Sequence, residues 1–231
     1  MPITITARQN LFLRTCLMAL LYFAISEFGG IWGWRALYPI RLFVTFLHEF
    51  GHGFGTIITG GSIEYIQIDP NAGGLTLSLG GIRPVTIMGG YIGSAIFGNI
   101  LFYIGAARPK WVKPTLVVVI AIMLITGFIW TNSVFTTVVM IVFSVLLFLI
   151  GFKTKFGRDA LMLLGLASII YILQDTHIGP SSDLRAMEAE MRFIPAKLWM
   201  YIWLAIALGL LAFNLRMLFA RERKADKQNL S

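Results

Sequence analysis

The sequence predicts an all-α polytopic membrane protein with about seven transmembrane helices and one small β-hairpin. Of its 231 residues, 57% are hydrophobic and only 13% are charged, whereas soluble domains carry about 25% charged residues. The mean hydropathy is +0.78, and the charges cluster between long apolar blocks. Because no polar segment is long enough to form a separate soluble core, we expect a single membrane-embedded domain over residues 1–231.

Seven apolar segments approach the length of about 20 residues that crosses a bilayer as a helix. They cover roughly residues 10–28, 37–59, 85–107, 111–130, 133–152, 157–174 and 197–220. The first segment has no small-residue cleavage site after it, so we expect a retained helix and not a signal peptide. The core of the domain is expected at 37–107 and 157–220, followed by a basic tail at 221–231.

The segment after the second predicted helix has the pattern of a β-hairpin. Residues 62–68 alternate between polar and apolar, and residues 75–79 alternate again. Between them lies the sequence Asp-Pro-Asn-Ala-Gly-Gly at 69–74, which consists largely of turn-forming residues. This pattern predicts two antiparallel strands joined by a loop longer than two residues.

The third predicted helix carries small residues four positions apart, namely Gly89 with Gly93 and Ser94 with Gly98. Such spacing lets two membrane helices approach each other closely. Asn99 follows on the same helix and has two explanations: it lines a functional site, or it makes a packing hydrogen bond inside the bundle.

The formal net charge of +8 comes from basic residues that lie mainly in short loops and in the tail. There they orient helices and contact anionic lipid headgroups, and no basic soluble face indicates nucleic-acid binding. More lysines and arginines fall on the side of the tail than on the opposite side. The positive-inside rule therefore predicts a multi-pass protein of the cell membrane with a cytoplasmic C-terminus.

The second predicted helix contains an HExxH motif formed by His48, Glu49 and His52. Residues four apart share a helix face, so both imidazoles can reach one metal ion with Glu49 beside it. A catalytic zinc site uses three protein ligands and leaves a position for water, which Glu49 would activate as general base. The alternative is a chance match, but ionisable groups are costly at membrane depth and ask for a functional explanation.

These features together resemble the site-2-protease-like family of intramembrane zinc metallopeptidases, in its compact branch without a PDZ domain. The resemblance rests on the sequence His-Glu-Phe-Gly-His-Gly at 48–53, on Ile58–Gly61 with the hairpin, and on the glycine-rich helix Gly89–Asn99. It runs from about residue 42 to 105 and resumes more weakly near 175–205. It implies Zn²⁺-dependent cleavage of membrane proteins, with the glycine-rich helix packed against the metal-bearing one.

In that family the third ligand is an aspartate of a later helix within a Leu-Asp-Gly type motif, which this sequence lacks. Asp159 follows several basic residues and is better explained by a salt bridge. The Ser-Ser-Asp sequence ending at Asp183 resembles a Ser-Asp segment of the compact branch, so Asp183 is the preferred ligand and Asp175 the second candidate. Capping is the alternative for both, and Asp183 is well placed to cap a helix that runs through Met187.

We therefore expect an intramembrane zinc metalloprotease in which Glu49 is catalytic. His48, His52 and either Asp183 or Asp175 would bind Zn²⁺, and the substrate would be a membrane protein or peptide. Two alternatives stay open: a membrane metal transporter, and a catalytically inert relative that binds membrane partners. A transporter usually shows polar residues on many helices or a repeat between halves, and neither is visible.

Overall fold

In a computed structural model, the protein is described over residues 7–175 and 181–229, with side chains described over 11–171 and 181–220. These residues form eight α-helices and one two-stranded antiparallel sheet. In chain order the elements are α1 (Ala7–Phe28), α2 (Gly30–Ile58), β1 (Ser62–Ile68), β2 (Gly74–Leu79), α3 (Arg83–Ala107), α4 (Val112–Ile129), α5 (Val134–Phe148), α6 (Gly157–Asp175), α7 (Ser182–Met191) and α8 (Ala196–Asn229).

Each of the seven segments predicted as helices is helical, but seven membrane spans are not confirmed. Five spans have the required length and hydropathy: Leu11–Phe28, Arg83–Ala107, Pro109–Ile129, Val134–Lys153 and Ala196–Ala220. Helix α2 falls short because the ionisable side chains of the HExxH motif and two arginines lower its hydropathy. The fully described part of α6 is shorter than the roughly 20 residues of a span.

The short helix α7 lies within the polar connection between the sixth and seventh predicted spans. Its N-terminal cap is Ser181, whose hydroxyl accepts a hydrogen bond from the Leu184 amide at 3.4 Å. Asp183 lies in the first turn of the helix and is not the cap. The capping explanation for Asp183 is therefore wrong, and its carboxylate is left for other contacts.

Helix α3 packs between α2 and α6 through glycines. A Cβ atom on Gly51 of α2 would collide with the carbonyl oxygen of Gly89 on α3. A Cβ on Gly98 of α3 would lie 2.8 Å from the carbonyl oxygen of Gly165 on α6. The small residues of α3 therefore bring three helix backbones into direct contact, as their spacing predicts.

The β-hairpin lies beside α2 and has two different edges. Strands β1 and β2 pair in register from Ser62 opposite Leu79 to Ile68 opposite Gly74, with a bulge near Ile63. The Ile68 amide donates to the Thr136 hydroxyl of α5 at 2.9 Å, which anchors the outer side of β1. Among the described residues no strand pairs with the other edge of β2.

Two polar residues considered in the sequence have structural partners. Asp159 forms an ion pair with Arg14 of α1 at 3.1 Å, which agrees with the salt-bridge explanation. The Asn214 amide of α8 donates to the backbone oxygen of Asn99 at 2.8 Å, and the Asn99 amide donates to the Ala95 carbonyl at 2.8 Å. Asn99 therefore joins α3 to α8 as a packing residue.

Candidate metal centre

Helix α2 presents His48 and His52 on one face, with their Nε2 atoms 3.1 Å apart. Asp183 lies on α7, and its Oδ2 is 2.9 Å from the His48 Nε2 and 3.1 Å from the His52 Nε2. Three potential ligand atoms from two distant segments therefore converge on one point, all within 4.8 Å of one another.

This triangle has the size that a bound metal ion requires. Tetrahedral ligands at the usual Zn²⁺ distances of about 2.0–2.2 Å lie about 3.3 Å from each other. The observed separations of 2.9–3.1 Å are slightly shorter, and two imidazole nitrogens with one carboxylate oxygen are a typical zinc donor set. The residues present therefore fit a divalent cation.

Burial of charged groups in this cluster raises the free energy of the folded protein unless the charges compensate each other. The two histidines are 7% and 8% exposed, and Asp183 is half-buried. Burial alone raises the pKa of the Asp183 carboxyl, but its close contacts with His48 and His52 outweigh this effect, so that this pKa lies well below its usual range. The carboxylate is therefore held in the ionised form that binds metals.

The His52 ring is oriented by a backbone carbonyl. Its Nδ1 donates a hydrogen bond to the Thr86 oxygen at 2.8 Å, near the start of α3. When Nδ1 carries the proton, Nε2 of a neutral imidazole offers its lone pair. This arrangement sets the tautomer of His52 that can coordinate a metal ion.

Glu49 lies next to the triangle but is not one of its corners. The Thr76 hydroxyl of β2 donates to its Oε2 at 2.8 Å and also lies 2.9 Å from the backbone oxygen of Glu49. Gly74 passes so close to it that an added Cβ would lie 2.7 Å from the Glu49 Cγ and 2.8 Å from Oε1. The hairpin therefore fixes the carboxylate of Glu49 through one hydrogen bond and one glycine contact.

The cluster and Glu49 line one cavity of about 350 Å³. Its walls come from α2, α3, α6, α7 and the hairpin. The lining residues are Thr45, His48, Glu49, His52, Ala72, Gly73, Gly74, Leu75, Thr76, Thr86, Ile87, Tyr91, Tyr171, Ser181, Ser182 and Asp183. A cavity of this size is large enough for a short segment of extended polypeptide beside the metal centre.

Gly90 of α3 leaves the space that both imidazoles occupy. A Cβ atom there would lie 2.5 Å from the His52 Nε2 and 2.7 Å from the His48 Cε1. We therefore expect Gly90→Ala to weaken metal binding by at least about tenfold, since it displaces both rings. Metal titration of the purified variant measures this effect.

Gly209→Ala is the matched control for this prediction, because an added Cβ at Gly209 on α8 meets nothing within 4 Å. We expect Gly209→Ala to bind metal like the unmodified protein. Equal metal affinity of the Gly90 and Gly209 variants would contradict the assigned role of Gly90.

The structure brings together some of the predicted site residues and not others. His48, His52 and Asp183 meet at the cluster, with Glu49 beside them. Asp175, the alternative third ligand, ends α6, and its side chain lies outside the described residues. Four further residues of the site could not be predicted from the sequence, since threonine and tyrosine in apolar surroundings carry no distinctive pattern: Thr76, Thr86, Tyr91 and Tyr171.

Comparison with known proteins identifies the family of the chain. The model of the family described as Peptidase M50B-like matches residues 13–214, a range that includes the histidines, Glu49 and Asp183. Neither a curated protein nor a solved structure matches the chain. The five apolar helices fit an integral membrane protein, and the family is one of peptidases. Because the match covers most of its length, the chain belongs to the Peptidase M50B-like family.

Proposed function

We propose that the protein is an intramembrane zinc metalloprotease that hydrolyses peptide bonds of membrane proteins. One observation carries this proposal: two imidazole nitrogens and one carboxylate oxygen converge at 2.9–3.1 Å beside a further carboxylate, inside a shared cavity. Membership of a peptidase family supports hydrolysis as the reaction.

In this proposal His48, His52 and Asp183 hold the Zn²⁺ ion. The ion supplies Lewis acidity, which acidifies water and polarises a peptide carbonyl. The backbone carbonyl of Thr86 keeps the His52 ring in place, because it accepts the hydrogen bond from Nδ1 at 2.8 Å. Gly90 provides the room for both rings.

Glu49 is the general base of the proposed reaction. Its Oε2 accepts the hydrogen bond from Thr76, which leaves Oε1 to take a proton from the attacking water. The same oxygen can then give that proton to the leaving amine. Because Thr76 and Gly74 belong to the hairpin, β2 both orients the base and borders the cavity.

The exposed edge of β2 offers a place for the substrate. The side chains of Leu75, Leu77 and Leu79 are about half exposed, and β2 has no second neighbour among the described strands. An extended substrate segment could add to this edge through main-chain hydrogen bonds. N-methylation of that segment in a reporter peptide should then raise KM, and an unchanged KM would exclude this binding mode.

We also propose how the single domain is arranged in the membrane. Helices α2 and α6 would lie within the bilayer beside the five candidate spans, with the tail in the cytoplasm. Arg158 donates to the carbonyls of Gly105 and Ala106, so the end of α3 and the start of α6 share one side with their basic residues. Protease accessibility of a C-terminal tag in sealed cell-membrane vesicles tests the orientation.

The decisive experiment compares His48→Ala with His177→Ala. The expected result is that the wild-type protein and His177→Ala each contain Zn²⁺ and cleave a membrane-spanning reporter in liposomes, whereas His48→Ala does neither. His177 is the third histidine of the chain and lies outside the described residues. Transport of Zn²⁺ across the vesicle membrane without cleavage of the reporter would favour a transporter. Zn²⁺ binding without cleavage would favour a catalytically inert relative.

A further inference from the structure

The two histidines of the cluster are held in different ways. The Nδ1 of His52 donates to the Thr86 carbonyl. The Nδ1 of His48 is buried and has no hydrogen-bond partner among the described residues. Imidazoles that bind metals usually have their second nitrogen hydrogen-bonded to a carbonyl, a carboxylate or water, which fixes the ring. Among the described residues, the side chain of His48 is therefore oriented by contacts other than a hydrogen bond to Nδ1.

Two tyrosine rings provide such contacts. The centre of the Tyr91 ring lies 4.7 Å from that of His48, with the planes at 85°. The Tyr171 ring lies 5.8 Å from His48, with the planes at 74°. Perpendicular contacts are favourable between aromatic rings, because a positive edge meets a negative face. His48 therefore packs at a right angle against rings from two different helices.

The tyrosine rings are themselves fixed. Tyr91 and Tyr171 stack on each other, with ring centres 6.2 Å apart and planes 13° from parallel. The Trp203 ring of α8 packs against Tyr91 from another direction at 5.2 Å. Tyr91 is 4% exposed and Trp203 is 1% exposed, so neither ring has room to turn. Helices α3, α6 and α8 therefore support one rigid aromatic surface beside His48.

We propose that Tyr91 and Tyr171 are positioning residues that aim Nε2 of His48 at the metal ion. This inference rests on the proposed function. The contact with His48 is made by the rings, so Tyr171→Phe should preserve metal binding, whereas leucine in place of either tyrosine should weaken it. The two rings restrict His48, because rotation of its ring would drive it into the tyrosines.

The test measures the affinity for Co²⁺, a spectroscopic substitute for Zn²⁺, in detergent-purified protein. Tyr171→Phe should bind within about twofold of the wild type with an unchanged absorption spectrum, since it keeps the ring. Tyr91→Leu and Tyr171→Leu should bind roughly ten- to a hundredfold more weakly and change the spectrum. Tyr103→Leu is the control, because Tyr103 lies on α3 but lines a different groove.

The thermal unfolding of the metal-free proteins is recorded as well. Tyr91→Leu and Tyr103→Leu should both unfold at lower temperature, while only the former loses Co²⁺ affinity. If Tyr91→Leu does not fold, Tyr171→Leu decides the matter. Co²⁺ binding by the leucine variants within about threefold of the wild type would overturn the positioning role and leave the proposed function intact. A wild-type protein that binds no metal would instead overturn the proposed function itself.

Discussion

Replacement of Asp183 by asparagine is expected to weaken Zn²⁺ binding by more than about a hundredfold and to abolish cleavage. The substitution keeps the shape of the side chain but removes the negative charge that faces both imidazoles at 2.9–3.1 Å. A neutral amide is a poor ligand for zinc, which prefers ionised oxygen and imidazole nitrogen. The measurement is the metal content of the purified variant, followed by titration with Zn²⁺ against a competing chelator.

Glu188→Gln is the matched control, because it neutralises an exposed carboxylate on the same helix α7. We expect this control to retain metal and activity. If Asp183→Asn bound Zn²⁺ as tightly as the control, the third ligand would have to be sought elsewhere, and Asp175 would be the next residue to replace.

The part of the site that lies on one helix could be predicted from the sequence. The spacing of His48 and His52 determines that they share a helix face, and Glu49 follows from the same motif. The hairpin was equally accessible, since alternation and a run of turn residues are local signals. In the structure its loop runs from Asp69 to Gly73, longer than two residues as predicted.

The preference for Asp183 over Asp175 came from the resemblance of its Ser-Ser-Asp sequence to a family segment, whereas the contact of Asp183 with the histidines could not be predicted from local signals. The convergence of Asp183 with His48 spans 135 positions of sequence and depends on how α7 packs against α3 and α8. The contact of Thr86 with His52 could not be predicted at all, because Thr86 accepts the hydrogen bond through its backbone oxygen, which every residue type possesses. Such contacts are set by the three-dimensional packing of helices and leave no trace in residue type.

The number of membrane spans was harder to predict for a related reason. The HExxH motif places two histidines and Glu49 in α2, so the helix that carries the candidate metal centre is also the one whose hydropathy is lowered. Burial against α3 and the hairpin protects these groups from lipid, as the exposure of 6–8% for all three residues indicates. A hydropathy pattern records composition and not this protection.

Replacement of Glu49 by glutamine is expected to separate metal binding from catalysis. Glutamine has nearly the same shape, and its amide oxygen can still accept the hydrogen bond from Thr76 that now reaches Oε2 at 2.8 Å. Because Glu49 is not a corner of the ligand triangle, we expect the Zn²⁺ content to stay at the wild-type level. An amide cannot take a proton from water at neutral pH, so the cleavage rate should fall by roughly 10²–10⁴-fold.

The rate of reporter cleavage in liposomes and the Zn²⁺ content of the same preparation test this separation together. Glu64→Gln makes the same chemical change at an exposed position of β1, and we expect it to leave both quantities unchanged. Loss of zinc from Glu49→Gln would mean that Glu49 is a ligand. Among the carboxylates that line the described cavity, only Glu49 lies beside the cluster without belonging to it. Full activity of Glu49→Gln would mean that another group accepts the proton, and the assigned mechanism would then fail.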